Sequence, residues 1–321
     1  MPDTQPAYTA LLQTGELANR AVQAVQMLHS CQLCPRRCGI NRLEDETGFC
    51  RTGRLARVAS FGPHFGEEAP LVGTHGSGAI FFAQCNLACV FCQNHEISQH
   101  GQDETEMDAT QLAKVMLKLQ AQGVHNINLV SPSHVVPQIL EALVLAAEQG
   151  LAIPLVYNSG GYDALETLAL LNGIVDIYMP DTKFFSAQLA EQYCQAPDYP
   201  LHARQAIQAM HQQVGDLQIN QQGVAWRGLL IRHLVMPAGL AGTAQWLNFL
   251  AKEISVDTYI NLMDQYRPCA QATSFSELNR SITRQEYEEV LQLAEQNGLS
   301  RLDQRSHHVM DTILRALLYK R

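Results

Sequence analysis

The sequence predicts an α/β protein: a partial (β/α)6 TIM-type barrel that carries a small N-terminal Cys-rich metal-binding segment. Three observations predict it. From Gly78 onward six short apolar runs recur, with helical patterns between them. Each run is continuous rather than alternating, as expected of strands buried on both faces. Seven of the nine cysteines crowd between Cys31 and Cys92, four of them ahead of the first run.

The chain has 321 residues, 46% of them apolar and 17% charged, an ordinary globular balance. Its net charge of −9 argues against a broad grip on nucleic acid or anionic lipid. The richest apolar stretch, LEALVLAAEQGLAIPLVY, is broken by Glu141 and Glu148, so no membrane span is expected. The start shows no basic-then-apolar signal pattern, and the expected location is cytoplasmic. In a reducing compartment clustered thiols point to metal or redox chemistry rather than disulfides.

The division read from the chain is 1–77, an N-terminal helix plus the Cys-rich segment; 78–280, the barrel; and 281–321, C-terminal helices packing on it. Residues 7–30 place Leu11, Leu12, Ala18, Ala21, Val22, Val25 and Leu28 at helical spacing, with a break near Gly15. The segment CQLCPRRCGINRLEDETGFCRTG is too poor in aliphatics to hold its shape without a metal. The six runs are GAIFFAQ, NINLV, IPLVYN, IVDIYM, GLLIRHLVM and DTYINLM. Between the first three lie DATQLAKVMLKLQAQG, with Asp108 as N-cap, and HVVPQILEALVLAAEQG, with Pro137 in its first turn. Such repeats imply parallel strands with right-handed crossovers, and six units leave the barrel open; a doubly wound sheet is the competing topology. The patterns ITRQEYEEVLQLAEQNG and HHVMDTILRALLYKR complete the chain as two helices.

The sharpest motif follows the first run directly: Cys85, Cys89 and Cys92, separated by three and then two residues. Cuboidal iron–sulfur clusters usually take four thiolates, one per iron, so three leave one iron open for substrate. Zinc fits less well, because only His95 is at hand as a fourth ligand.

The stretch CNLACVFC resembles the CxxxCxΦC signature of radical S-adenosylmethionine (radical SAM) enzymes, with Phe91 as the aromatic. The surroundings HFGEEAPLVGTHGSGAIFFAQCNLACVFCQN, CQLCPRRCGINR and INLMDQYRP are similar to a pyruvate formate-lyase activating enzyme-like branch, over roughly residues 31–299. The resemblance implies a partial (β/α)6 barrel with the cluster loop after its first strand. It implies that Cys85, Cys89 and Cys92 hold a 4Fe-4S cluster whose open iron binds S-adenosylmethionine. Reductive cleavage of that cofactor would give a 5′-deoxyadenosyl radical that abstracts hydrogen from substrate, in activating enzymes a glycyl residue of a partner protein. A low-potential donor such as flavodoxin or ferredoxin would supply the electron.

The cofactor is expected at the C-terminal ends of the strands. Phe91 and Asn94 belong to the cluster loop. After NINLV stand Ser131 and Ser133, where relatives commonly carry Gly-Gly-Glu; the serines offer oxygens, but no carboxylate is present. His134 beside them reads as a helix cap. Asn158 and Ser159 suit ribose hydroxyls. Asp181 and Lys183 resemble the Asp-x-Lys of glycyl-radical activases and are the expected catalytic pair. Arg232 suits a carboxylate. Glu67 and Glu68 read as an ordinary solvated pair.

In the N-terminal segment Cys31, Cys34, Cys38 and Cys50 supply four ligands, enough for structural zinc or a second iron–sulfur cluster; the lack of a core favours zinc. Arg36, Arg37, Arg42, Arg51, Arg54 and Arg57 in or beside it favour thiolates. Cys194 and Cys269 have no partner by spacing and read as ordinary thiols. The alternatives to a protein substrate are the same radical chemistry on a small molecule or RNA, or a non-catalytic zinc scaffold.

Overall fold

The computed structural model describes residues 5–101 and 104–303. Its strands are β1 (Ala56–His64), β2 (Ser77–Phe82), β3 (Thr105–Met107), β4 (Ile127–Val130), β5 (Leu155–Ser159), β6 (Ile177–Thr182), β7 (Gln218–Ile219), β8 (Ala225–Leu234) and β9 (Tyr259–Met263). The six expected runs are β2, β4, β5, β6, β8 and β9. They lie side by side in that order, and every pairing among them is parallel. Sequential order in one direction, with helices between, is a singly wound open barrel and not a doubly wound sheet.

Alternation along the strands makes two cores. Ile80, Leu129, Tyr157, Tyr178 and Ile231 join the large core shared with the helices. Val156, Ile177, Met179 and Leu230 belong to a separate small core with Leu71. Among the described residues no pairing joins β9 to β2. The segment after β1 bridges that gap: Asn261 Nδ2 donates to Glu68 Oε1 at 2.9 Å, and the Ala69 N–H to Asp303 Oδ2 at 3.1 Å.

Three strands were not expected. β1 pairs antiparallel with β2 from His64↔Ser77 to Val58↔Phe82, so the barrel sheet continues across residue 77. β3 adds to β1, and the two-residue β7 runs antiparallel to β8.

The helices follow their signals. Ala109–Ala121 begins at a capping box made by Asp108 and Gln111. Val136–Glu148 has Pro137 in its first turn. The N-terminal pattern is two helices, Tyr8–Gln13 and Glu16–Gln26, broken at Gly15, whose φ of 76° suits glycine. Arg284–Gln296 matches the first C-terminal pattern, while HHVMDTILRALLYKR lies outside the described residues. Among the described residues no helix is long and apolar enough to cross a membrane.

The N-terminal segment is tied to the barrel from far along the chain. The Ala7 N–H donates to Asp176 Oδ1 at 2.8 Å, the Tyr8 hydroxyl to Ile153 O at 3.0 Å, and Thr167 Oγ1 to Leu33 O at 2.8 Å. Arg42 is fully buried. It donates to Gly53 O at 2.9 and 3.1 Å and to His134 O at 2.7 Å. Such charge-assisted bonds offset the cost of burying its guanidinium. His134 caps no helix: its ring contacts Ala83 O at 3.0 Å.

Candidate functional site

The parallel register brings the strand ends to one rim. Asp181 on β6 stands opposite Arg232 on β8, and Asn158 on β5 opposite Met179 on β6. A cavity of ≈ 240 Å³ opens there, lined among others by Cys89, Phe91, Cys92, Asn94, Asp181, Lys183 and Arg232. Two stretches distant in sequence, the loop after β2 and the ends of β6 and β8, thus face one space.

Asp181 is the hub of its charged wall. Its carboxylate takes Lys183 Nζ at 2.9 Å and Arg232 Nε at 2.8 Å. Arg232 NH2 also donates to Asn158 Oδ1 at 2.7 Å, and its NH1 lies 3.9 Å from Glu67 Oε2. Burial alone would raise the Asp181 pKa, but the Arg232 and Lys183 charges outweigh it and hold the carboxyl below its usual value. Burial disfavours the Lys183 ammonium, yet Asp181 and the nearby Cys89 keep its pKa well above normal. The wall is therefore fully ionised at neutral pH.

Gly161 lets this wall close. Its φ is +76°, and a Cβ there would lie 2.4 Å from Asp181 O. The Tyr199 hydroxyl lies 2.8 Å from the same oxygen and 3.0 Å from Gly160 O, and it accepts from the Lys183 N–H at 3.0 Å. The backbone around Asp181 and Lys183 is thereby fixed.

The cysteine loop leaves β2 with its thiols in apolar surroundings. Burial pushes the Cys85 thiol up to about 12. For Cys89 the hydrogen bond to Cys194 raises it first and burial second; Cys92 is raised by burial. Metal binding must displace these protons. Two cysteines that sequence spacing left apart belong to this neighbourhood. Cys194 Sγ lies 3.4 Å from Cys89 Sγ, and Cys269 Sγ donates to Phe91 O at 3.1 Å. Among the described residues no three Cys, His, Asp or Glu side chains meet closely enough to grip a single ion.

The other sequence-picked residues divide. Phe91, Asn94, Asp181, Lys183 and Arg232 line the cavity. Asn158 stands behind it as the partner of Arg232. Ser159 Oγ donates to Asp163 Oδ2 at 2.7 Å, and Ser133 hydrogen-bonds to Asp163 as well. Neither residue is among those lining the cavity. Ser131 takes a φ of 60° and donates its N–H to Asn158 O at 2.9 Å, a backbone role. His233 is buried between Thr182 and Thr243, 2.8 Å from each hydroxyl, and burial pushes it down to about 4. Glu67 and Glu68 are buried, not solvated. Met236, Met263 and Gln265 line the cavity unforeseen, although all lie at or just past the ends of expected runs.

No family model matches the chain. It is 34% identical over 283 residues to the uncharacterized protein MJ0674 of Methanocaldococcus jannaschii, covering 86% of this chain and 77% of that one. Among solved structures it is similar to a domain of a pyruvate-formate lyase-activating enzyme from Bacteroides vulgatus, at 13% identity and a TM-score of 0.34. That match covers 60% of this chain and 88% of the other. It is also similar to HydG, a maturase of the FeFe-hydrogenase, at 13% identity and a TM-score of 0.48, covering 68% and 48%. These structural neighbours are radical SAM enzymes.

Proposed function

The chain belongs to the family of the M. jannaschii protein MJ0674, and we propose that it acts there as a radical SAM enzyme. One observation carries this reading: two thiols of a three-cysteine loop and an ionised Asp181–Lys183–Arg232 wall line the same cavity at the strand ends. Cys85, Cys89 and Cys92 would hold a 4Fe-4S cluster, and S-adenosylmethionine would lie between the loop and the wall. A cluster held there would supply one-electron reduction of the cofactor's sulfonium, the source of hydrogen-abstracting radical chemistry.

The chain's own residues supply the rest. Arg232 and Lys183 offer cationic hydrogen-bond donors to a carboxylate, and Asp181 an acceptor to an ammonium. S-adenosylmethionine presents both groups. Phe91, Met236 and Met263 give apolar walls that exclude water. Lys183 also places positive charge near Cys89, favouring its thiolate. The Asp181-x-Lys183 pair supports the activating-enzyme-like reading, in which hydrogen comes from a glycyl residue of a partner protein and the electron from flavodoxin or ferredoxin.

The test is anaerobic reconstitution followed by reduction with S-adenosylmethionine present. The expected product is 5′-deoxyadenosine, lost in Cys89→Ala. A protein that holds iron at this loop yet forms none above the reductant-only control overturns the proposal.

A further inference from the structure

The segment between β1 and β2 brings a buried carboxylate, Glu67, to the charged wall from outside the strand ends. Its anchors come from strands far apart in the sheet. Asn126 Nδ2, just before β4, donates to Leu71 O at 2.9 Å, and Asn261 Nδ2, on β9, donates to Glu68 Oε1 at 2.9 Å. Leu71 is fully buried in the small core with Val156, Met179 and Leu230. The segment therefore threads through the barrel interior. Asn261 stands opposite Arg232 in the β8–β9 register. Fastening Glu68 there carries its neighbour to the same guanidinium: Glu67 Oε2 lies 3.9 Å from Arg232 NH1. The other oxygen, Oε1, lies 3.3 Å from His64 Nδ1. Gly66 leaves space for that ring, because a Cβ there would lie 3.0 Å from it. Glu67 is only 8% exposed, and a carboxylate so buried needs a counter-charge beside it.

The Arg232 guanidinium is thus held along all its edges. Nε donates to Asp181 Oδ1, NH2 donates to Asn158 Oδ1, and NH1 faces Glu67. Asp181 carries a double load, with Arg232 on Oδ1 and Lys183 on Oδ2. A carboxylate has about four acceptor positions, so Asp181 keeps some for a further donor. How strongly it attracts one depends on how much of the Arg232 charge it must balance alone. At 3.9 Å the Glu67 contact is too long for a hydrogen bond. It shares the charge of Arg232 and leaves the NH1 donors facing the site.

We infer that Glu67 is a positioning residue of the cavity: it steadies the far end of Arg232 and takes part of its charge, which leaves Asp181 able to accept the ammonium of a bound amino acid group. The pairing of Glu67 with Arg232 stands by itself; its effect on S-adenosylmethionine rests on the proposed function.

The experiment is equilibrium dialysis on the anaerobically reconstituted full chain, parent and Glu67→Gln. One probe is S-adenosylmethionine. The other is 5′-methylthioadenosine, which keeps the nucleoside and lacks the amino acid end. Binding of S-adenosylmethionine is expected to weaken about tenfold in the variant, the effect of one uncompensated charge a few ångströms away, while binding of 5′-methylthioadenosine stays unchanged. Equal losses for both probes, as from general damage to the fold, overturn the inference, and so does no loss for either. A parent that holds its iron yet binds no S-adenosylmethionine sinks the proposed function instead. The pairing is then decided by anaerobic thermal unfolding of Glu67→Gln, Arg232→Met and the double variant. A double variant more stable than the summed single losses supports it, and additive losses remove it. The same comparison serves if Glu67→Gln is too unstable to purify. The double variant, freed of both buried charges, is expected to regain its fold, and failure to regain it overturns the inference.

Discussion

Asp181→Asn removes the one negative charge shared by two cations at the cavity wall. The carboxylate lies 2.9 Å from Lys183 Nζ and 2.8 Å from Arg232. Breaking a buried pair costs about 3–5 kcal/mol, because the surviving charge stays buried without its counter-ion. All three side chains retain 17–19% exposure toward the cavity. Partial screening there lowers the expected cost to roughly 2–4 kcal/mol. In a chain of this size that is a fall of about 3–6 °C in the unfolding midpoint. The assay is anaerobic thermal unfolding of the metal-free protein, which needs no substrate. The sign with pH is fixed by the lowered pKa of Asp181. Its contribution is present above the unfolded value, about 3.9, and is lost as pH falls through the lower folded value. Parent and variant should therefore converge in acid. A midpoint within about 1 °C of the parent at neutral pH would refute the argument that this carboxylate neutralises the wall.

Three further outcomes follow from the geometry. Gly161→Ala combines a left-handed φ with a 2.4 Å approach to Asp181 O, so it should destabilise by about 1–3 kcal/mol in urea unfolding, and an unchanged midpoint counts against the close approach. Burial pushes Asp176 up to about 6 despite hydrogen bonds from the Ala7 and Leu155 N–H groups. The stability tied to its protonated form is complete below about pH 3.9 and lost as pH rises through the folded value, up to roughly 3 kcal/mol; Asp176→Asn should flatten the fall in urea midpoint between acid and neutral pH. In air the metal-free chain should form a Cys89–Cys194 disulfide, since the sulfurs lie 3.4 Å apart and a bond needs about 2.05 Å. Thiol-blocking mass spectrometry reads that bond, which Cys194→Ser abolishes.

The six parallel strands were legible because strands covered on both faces must be apolar throughout, and no other element in this chain leaves that mark. β1 was not legible: ARVASFGPH carries Gly62 and Pro63 and is buried at only alternate positions in its first half. Asp181 and Lys183 could be picked out because they closely follow the expected run IVDIYM, and Arg232 because it breaks the apolar run GLLIRHLVM with a charge. Ser133 and Ser159 occupy similar positions, and their hydrogen-bond partner could not be read from the sequence. Their partner, Asp163, sits in a loop that no periodicity places. Cys194 and Cys269 escaped because their contacts, Cys89 and Phe91, lie 105 and 178 residues away in sequence.

The long-range ties of the N-terminal segment set an order of assembly. The Cys31–Cys50 stretch leaves the ribosome before any strand of the barrel. Its fastenings, His134 O, Thr167 and Cys194 O, are synthesised well after it. Until these partners have emerged, those four thiols lack part of their scaffold and face solvent, stray metal ions and oxidants. Completion of that hollow is therefore a late event in the chain's assembly, and a truncated translation product ending before β6 would carry the cysteines without all of their fastenings.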